Sequence, residues 1–228
     1  MNRSAFSAAG PAARTNPITL AGPFDWPRLG YEHGKRLIDV VASLLALILL
    51  VPLLVAIVVC IRLSGRGPIL FKQERLGRDG KRFWCYKFRT MVPDAESQLS
   101  RSPDLIAQFR ENFKIRSDPR VTRIGAILRR SSLDELPQLW NVLRGDMSLI
   151  GPRPIVEQEL DKYGVHASRL LTVKPGLGGI WQVSGRSETS YDDRVAMDMR
   201  YIEIRSLALD LKLVILTAMV VIRGRGAY

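Results

Sequence analysis

The sequence predicts an α/β fold: a small sheet with surrounding helices, an N-terminal re-entrant membrane helical hairpin and interfacial amphipathic helices. Three observations predict it. The apolar run from Leu37 to Ile61 is interrupted by Pro52 and flanked by cations at both ends. Two stretches rich in β-formers follow, PILFKQERLG and KRFWCYKFRT, joined by a turn at Arg78-Asp79-Gly80. Beyond them, apolar residues recur at helical spacing in several separate segments.

Residues 1–32 are rich in Ala, Pro, Ser, Gly and Asn without periodicity, which predicts a disordered tail. No small-residue cleavage site follows the first apolar run, so it is not a signal peptide. As a straight helix, residues 37–61 would extend about 38 Å. That exceeds a hydrocarbon core of roughly 30 Å. Pro52 bends such a helix by removing a backbone hydrogen bond. Lys35 and Arg36 precede the run, and Arg62, Arg66, Lys72 and Arg75 follow it. A single crossing cannot keep both flanks on the cytoplasmic face, whereas a helix–break–helix over 33–63 that dips in and returns can. The competing expectation is a kinked spanning helix.

Residues 64–228 form the predicted soluble domain. Lys87 and Arg89 alternate with Tyr86 and Phe88, which places both cations on one strand face. Residues 94–116 read as a polar surface helix. Arg120, Arg123, Arg129 and Arg130 lead into the acidic pair Asp134 and Glu135. Leu136, Leu139, Trp140 and Leu143 then recur on one helical face. Pro137 suits only the first turn of that helix, which puts Asp134 at or next to its N-cap, ionised and where phosphate also binds. An acidic pair standing alone would simply cap a helix. The GPRP segment at 151–154 fixes φ at both prolines and presents Arg153 on a stiff loop. PGLGGIWQVSGR at 175–186 reads as a glycine loop that approaches a ligand closely around Trp181. Tyr191 to Tyr201 is a polar helix carrying Asp198. The apolar stretch Leu207 to Ile222 is too short to cross a bilayer and fits an interfacial or core helix.

Formal net charge is +12, with 34 Lys and Arg against 22 Asp and Glu. An anionic partner follows: nucleic acid, anionic lipid or a phosphorylated substrate. Cys60 and Cys85 make no disulfide framework and no CxxC, and His33 and His166 stand alone, so neither a zinc site nor an oxidising compartment is expected.

SSLDELPQ, RGDMSLIGPRP, KFRTM and PGLGGIWQVSGR, in this order and spacing, resemble the bacterial sugar transferase family. These are monotopic phosphoglycosyl transferases that start glycan assembly on a polyprenyl phosphate carrier. The resemblance covers about residues 33–228 and is nearest to the short, exopolysaccharide-initiating type. It implies transfer of a hexose 1-phosphate from a UDP-sugar, UDP-galactose or UDP-glucose, to undecaprenyl phosphate, with release of UMP. It implies Asp134 and Glu135 as catalytic carboxylates and Mg2+ ligands, and Lys87, Arg89, Arg129 and Arg153 as phosphate-binding cations. Asp198, Trp181 and Gln182 are implied near the site, and Pro52 at the bend of a re-entrant anchor. The implied setting is the cytoplasmic face of the bacterial inner membrane, with UDP-sugar, undecaprenyl phosphate and membrane lipids as partners and no nucleic acid. Monomer and homodimer both stay open. Two positions depart from the family pattern: Val51 replaces a common serine before the proline, and Gly178 replaces a threonine.

The chemistry is demanding, because a carboxylate attacking a diphosphate is an anion approaching an anion. It needs cations around the phosphates and a divalent metal. A covalent aspartyl phosphosugar would split the reaction into two steps. Two rivals have different products: a non-catalytic basic membrane-tethered module has none, and a hydrolase of lipid diphosphates would release free sugar phosphate.

Overall fold

The computed structural model describes residues 29–112, 115, 118–184 and 190–223; the predicted tail up to residue 28 and Arg186 lie outside them. Helix α1 spans Leu29–Leu49 and α2 spans Val51–Leu63, with their axes bent by 62°. The break falls at Leu50. Pro52 has no N–H for the carbonyl one turn earlier, and it sits in the first turn of α2, where none is needed. Among the described residues no single helix is long and apolar enough to cross a membrane, while the bent pair together meets both criteria. Helix α1 starts inside the predicted tail because its first turns are anchored. Tyr31 Oη and Lys35 Nζ donate to Asp210 Oδ2 at 2.8 and 2.9 Å.

Strands β1, Leu70–Leu76, and β2, Arg82–Phe88, pair antiparallel with Phe71 opposite Lys87 and Arg75 opposite Phe83. The predicted turn closes them, with Asp79 and Gly80 both at positive φ (59° and 71°). The predicted helix over 94–116 is two, α3 (Ala95–Arg101) and α4 (Pro103–Asn112). Pro103 forces Ser102 into an extended conformation and stops α3 there.

Helix α5, Arg123–Ser131, is capped by Thr122, whose hydroxyl accepts from the Gly125 N–H at 2.9 Å. Helix α6 covers Gln138–Arg144. Its buried face is Gln138, Leu139, Asn141 and Val142, and Trp140, predicted inside, is 54% exposed. Asn141 explains the rotation. Its amide donates to the Trp84 carbonyl at 2.7 Å and accepts from the Tyr86 N–H at 3.1 Å, so a polar side chain completes the edge of β2 as a peptide would.

Strand β3, Ser148–Ile150, leads into 3-10 turns over Glu157–His166 and helix α7, Ala167–Leu170. Strand β4, Gly176–Gly178, lies parallel to β3, so the described residues hold two two-stranded sheets where one was expected. Helix α8, Ile180–Ser184, follows directly. The predicted glycine loop is thus a strand and a helix. A Cβ on Gly176 would lie 2.0 Å from the Gly151 nitrogen, so this glycine admits a neighbouring backbone rather than a ligand. Helices α9, Tyr191–Ile204, and α10, Leu207–Arg223, complete the chain.

The main core joins β3, α9 and α10 through Ile150, Tyr163, Met199, Ile202 and Leu213. A second cluster packs Ile57 and Ile61 of α2 on Phe88 and Leu128. On the other arm, Arg36 donates to the carbonyls of Val142 and Leu143 at 2.6 Å each, and Asp39 accepts from the Leu149 N–H at 2.9 Å. Both arms of the hairpin are therefore fastened to the same body. Their outer surface is apolar, with Leu37 66% and Leu63 82% exposed.

Candidate active site

Asp134 lies in a 3-10 turn, Leu133–Glu135, between α5 and α6. Ser132, at φ 57°, ends α5 in the left-handed region and turns the chain. The N-cap of α6 is Pro137, so Asp134 stands one turn upstream of the predicted place. Pro137 has no N–H to donate back to Leu133, so the i to i−4 ladder starts only after it and the acidic pair stays in the tighter turn. Asp134 is buried, at 8% exposure. Burial first, and then the negative charge of Glu135, push its pKa up to about 6, against the opposing pull of Lys87 and Arg129. Asp134 is thus still ionised at pH 7, as expected, but it sits in a buried 3-10 turn with two cations nearby rather than at a helix terminus.

Lys87 Nζ donates to Glu135 Oε1 at 2.6 Å, and Arg129 Nε donates to Thr90 Oγ1 at 3.0 Å with its charge beside Asp134. Gly125 makes this placement possible, since a Cβ there would meet the Thr90 carbonyl oxygen, so α5 rides directly on the end of β2. Arg89 goes elsewhere. Its guanidinium donates to the carbonyls of Ile61, in the last turn of α2, and of Gly65 and Arg66 just beyond it, at 2.8–3.0 Å. The chain leaves β2 at Phe88, so the alternation that would keep Arg89 beside Lys87 no longer applies.

Arg153 belongs to a second group. Its guanidinium lies 5.4 Å from the Trp181 ring centre, and that of Arg194 lies 4.7 Å from it. Trp181 is buried on α8, and Gln182 beside it turns its Oε1 over the backbone of Gly179. Asp198, 2% exposed, accepts from Tyr163 Oη at 2.8 Å and from the Arg153 backbone N–H, and burial raises its pKa to about 7. Arg75 links the two groups. It donates to Glu159 Oε1 at 3.1 Å and the Pro154 carbonyl at 3.0 Å, and it feels the charges of Arg153 and Glu135. The Nε atoms of Arg153 and Arg194 are buried without a hydrogen-bond partner. At Gly178, the side chain of Thr217 occupies the space a residue there would fill.

A family model described as bacterial sugar transferase matches residues 30–224. The chain belongs to the bacterial sugar transferase family. It is 46% identical over 198 residues to the UDP-galactose-lipid carrier transferase of Erwinia amylovora and 44% over 198 to the undecaprenyl-phosphate galactose phosphotransferase of Salmonella typhimurium. In each case 85% of this chain is covered, and it spans 41% of the relative's length. The exopolysaccharide production protein ExoY of Rhizobium meliloti is 44% identical over 199 residues, covering 86% of this chain and 88% of ExoY.

For a sugar transferase, the site so built offers an acidic pair with two cations at one end and a tryptophan with two guanidinia at the other. The sequence marks Arg75 only as a cation flanking the apolar run, and Arg194 not at all. Arg194 carried a readable signal, one helical turn before Asp198. Arg75 shares a strand face with Lys87 across the hairpin register. Among the described residues no three His, Cys, Asp or Glu side chains gather as a metal site. At the Lys87 and Arg129 end of the site, Asp134 and Glu135 supply two adjacent hard oxygen donors, which fits magnesium, an ion commonly held by one or two carboxylates plus water and substrate phosphate.

Proposed function

We propose that this chain moves a hexose 1-phosphate from UDP-galactose or UDP-glucose to undecaprenyl phosphate, releasing UMP, as the first membrane step of exopolysaccharide assembly. The observation that carries the reading is the buried Asp134 between Glu135 and Arg129, with Lys87 on Glu135. The names of the Salmonella and Rhizobium relatives agree with it.

An Asp134 carboxylate oxygen attacks the phosphorus that bears the sugar. An O–P bond forms to Asp134, the bond from that phosphorus to the bridging oxygen breaks, and UMP leaves with the electron pair. An oxygen of undecaprenyl phosphate then attacks the same phosphorus, and Asp134 leaves as carboxylate. Burial suits Asp134 to this work, since a poorly hydrated carboxylate needs little desolvation to attack. Lys87 and Arg129 balance the charge that gathers on the phosphoryl oxygens. The buried Nε atoms of Arg153 and Arg194, with Arg75 behind them, provide donors for the nucleotide end of the diphosphate. Magnesium held by Asp134 and Glu135 would supply further neutralisation of the diphosphate.

The bent hairpin supports a re-entrant anchor. Leu37–Leu49 is a helix about 20 Å long, and with a 62° bend and its ends at equal depth its tip lies about 10 Å in. Arg36 and Arg89 tie the two ends of the hairpin to one body, which keeps both on one side. The site then stands at headgroup height, on the cytoplasmic face where the nucleotide sugar is.

Incubating the protein with UDP-sugar and magnesium, without acceptor, tests the two-step reading. About one UMP per active site should appear, with a hexose phosphate added to the intact mass of the wild type and not of Asp134→Asn. If UMP appears only when lipid phosphate is present, transfer is direct and Asp134 is not the nucleophile.

A further inference from the structure

At the start of α1, away from Asp134, a cavity of about 90 Å³ opens between the helix, the β1–β2 turn and the segment before β4. It has room for several waters or one phosphate-sized group. Five cations line it: Lys35, Arg36, Arg78, Lys174 and Arg205. Two carboxylates, Glu32 and Asp39, face them. Asp210 pairs with Lys35 at 2.9 Å from behind the wall, and the five cations still outnumber these three carboxylates.

The donors are not used up. Lys174 makes no hydrogen bond or ion pair among the described residues, and burial with the neighbouring charges of Arg36 and Arg78 lowers its pKa. An anion seated there would relieve both effects. Arg36 spends two of its five N–H groups on the carbonyls of Val142 and Leu143. Arg78 reaches Glu32 only at 3.5 Å, as an exposed pair.

Height decides the ligand. The exposed apolar surface of the hairpin begins at Leu37, directly after Lys35 and Arg36. The cavity mouth therefore lies where the phosphates of a bilayer lie, on the reading of the hairpin as a membrane anchor. It is not the reacting centre: Arg36 holds the far end of α6, and none of Asp134, Glu135, Lys87 and Arg129 lines the cavity.

We propose that this cavity binds the phosphate of an anionic phospholipid headgroup and so sets the tilt of α1 at the bilayer surface. The phosphate oxygens accept from Lys174, Arg36 and Arg78, while the acyl chains lie along the exposed side of α1.

Native mass spectrometry of the full chain with phosphatidylglycerol or phosphatidylethanolamine tests this. The wild type should retain one phosphatidylglycerol in preference to phosphatidylethanolamine, and Lys174→Gln should lower that retention at least fivefold. Among the described residues Lys174 has no hydrogen-bond or ion-pair partner to lose, so the variant should melt like the wild type; Arg78→Gln serves as a second, independent variant. Unchanged retention in both variants overturns the proposal. Equal occupancy by glycerol phosphate without acyl chains assigns the cavity to a free phosphate and overturns the lipid reading. Flotation with neutral phosphatidylcholine vesicles separates the two layers: a chain that floats but shows no lysine-dependent lipid preference loses only this inference, and one that does not float loses the anchor as well.

Discussion

Asp134 and Asp198 are both buried aspartates with raised pKa values, and they do different work. Asp198 accepts from Tyr163 and from the Arg153 backbone, so its oxygens are occupied by fixed donors. Asp134 is set mainly by charges, the like charge of Glu135 and the cations of Lys87 and Arg129, with one backbone hydrogen bond. Burial raises both, yet charges surround Asp134 where fixed donors hold Asp198. The lesson is that a perturbed pKa points to a functional region, and the hydrogen-bond inventory tells a reacting group from a positioning one.

The largest effect should come from Asp134→Asn, which removes the attacking oxygen. Transfer should fall by more than about a thousandfold, as for other lost nucleophiles, with the protein still folded by circular dichroism. Retained activity of more than a few per cent would reverse the roles drawn here. Glu135→Gln should cost roughly a hundredfold, on the scale of losing a charge-stabilising group, and leave Lys87 without its partner. Asp198→Asn and Arg194→Ala should each act about tenfold, mainly on KM for the UDP-sugar, as expected for substrate-positioning groups. Initial rates against UDP-sugar concentration separate these from the first two.

The pH dependence sharpens the contrast further. With its pKa near 6, Asp134 is protonated as pH falls through that value, and the rate of UMP release without acceptor should drop about tenfold per unit below it. Stability runs the other way. The folded pKa lies above the unfolded value, so the folded state gains protons, and stability, as pH falls from about 6 toward 4. Above pH 6 the buried charge is a liability, and Asp134→Asn should raise unfolding free energy by about 1–3 kcal/mol. Chemical denaturation at pH 8 and pH 4 checks this: the gain should be present at the first and gone at the second.

Much of this was legible in the sequence, because strong local rules produced it. Pro52 set the bend, Asp79-Gly80 set the hairpin turn, and the spacing of four blocks carried the family. The failures share a cause. Trp140, Arg89 and the glycines of β4 obey partners distant in sequence: Asn141 reaching β2, the open carbonyls of α2, and the backbone of Gly151. Periodicity cannot see a partner on another element. Asp134 was placed on the right segment and given the wrong environment, since the burial that raises its pKa comes from the packing of α5, β2 and α6 together.

The docking of α1 has a consequence for how the protein is made. The carbonyls that hold Arg36 follow it by 106 and 107 residues, and the carboxylate that holds Lys35 follows by 175. At roughly 5–20 residues per second on the ribosome, Arg36 waits about 5–20 s for its partners to be synthesised. If the hairpin is the anchor proposed above, it must settle in the bilayer on its own bend and flanking charges, with the rest of the domain assembling around it later.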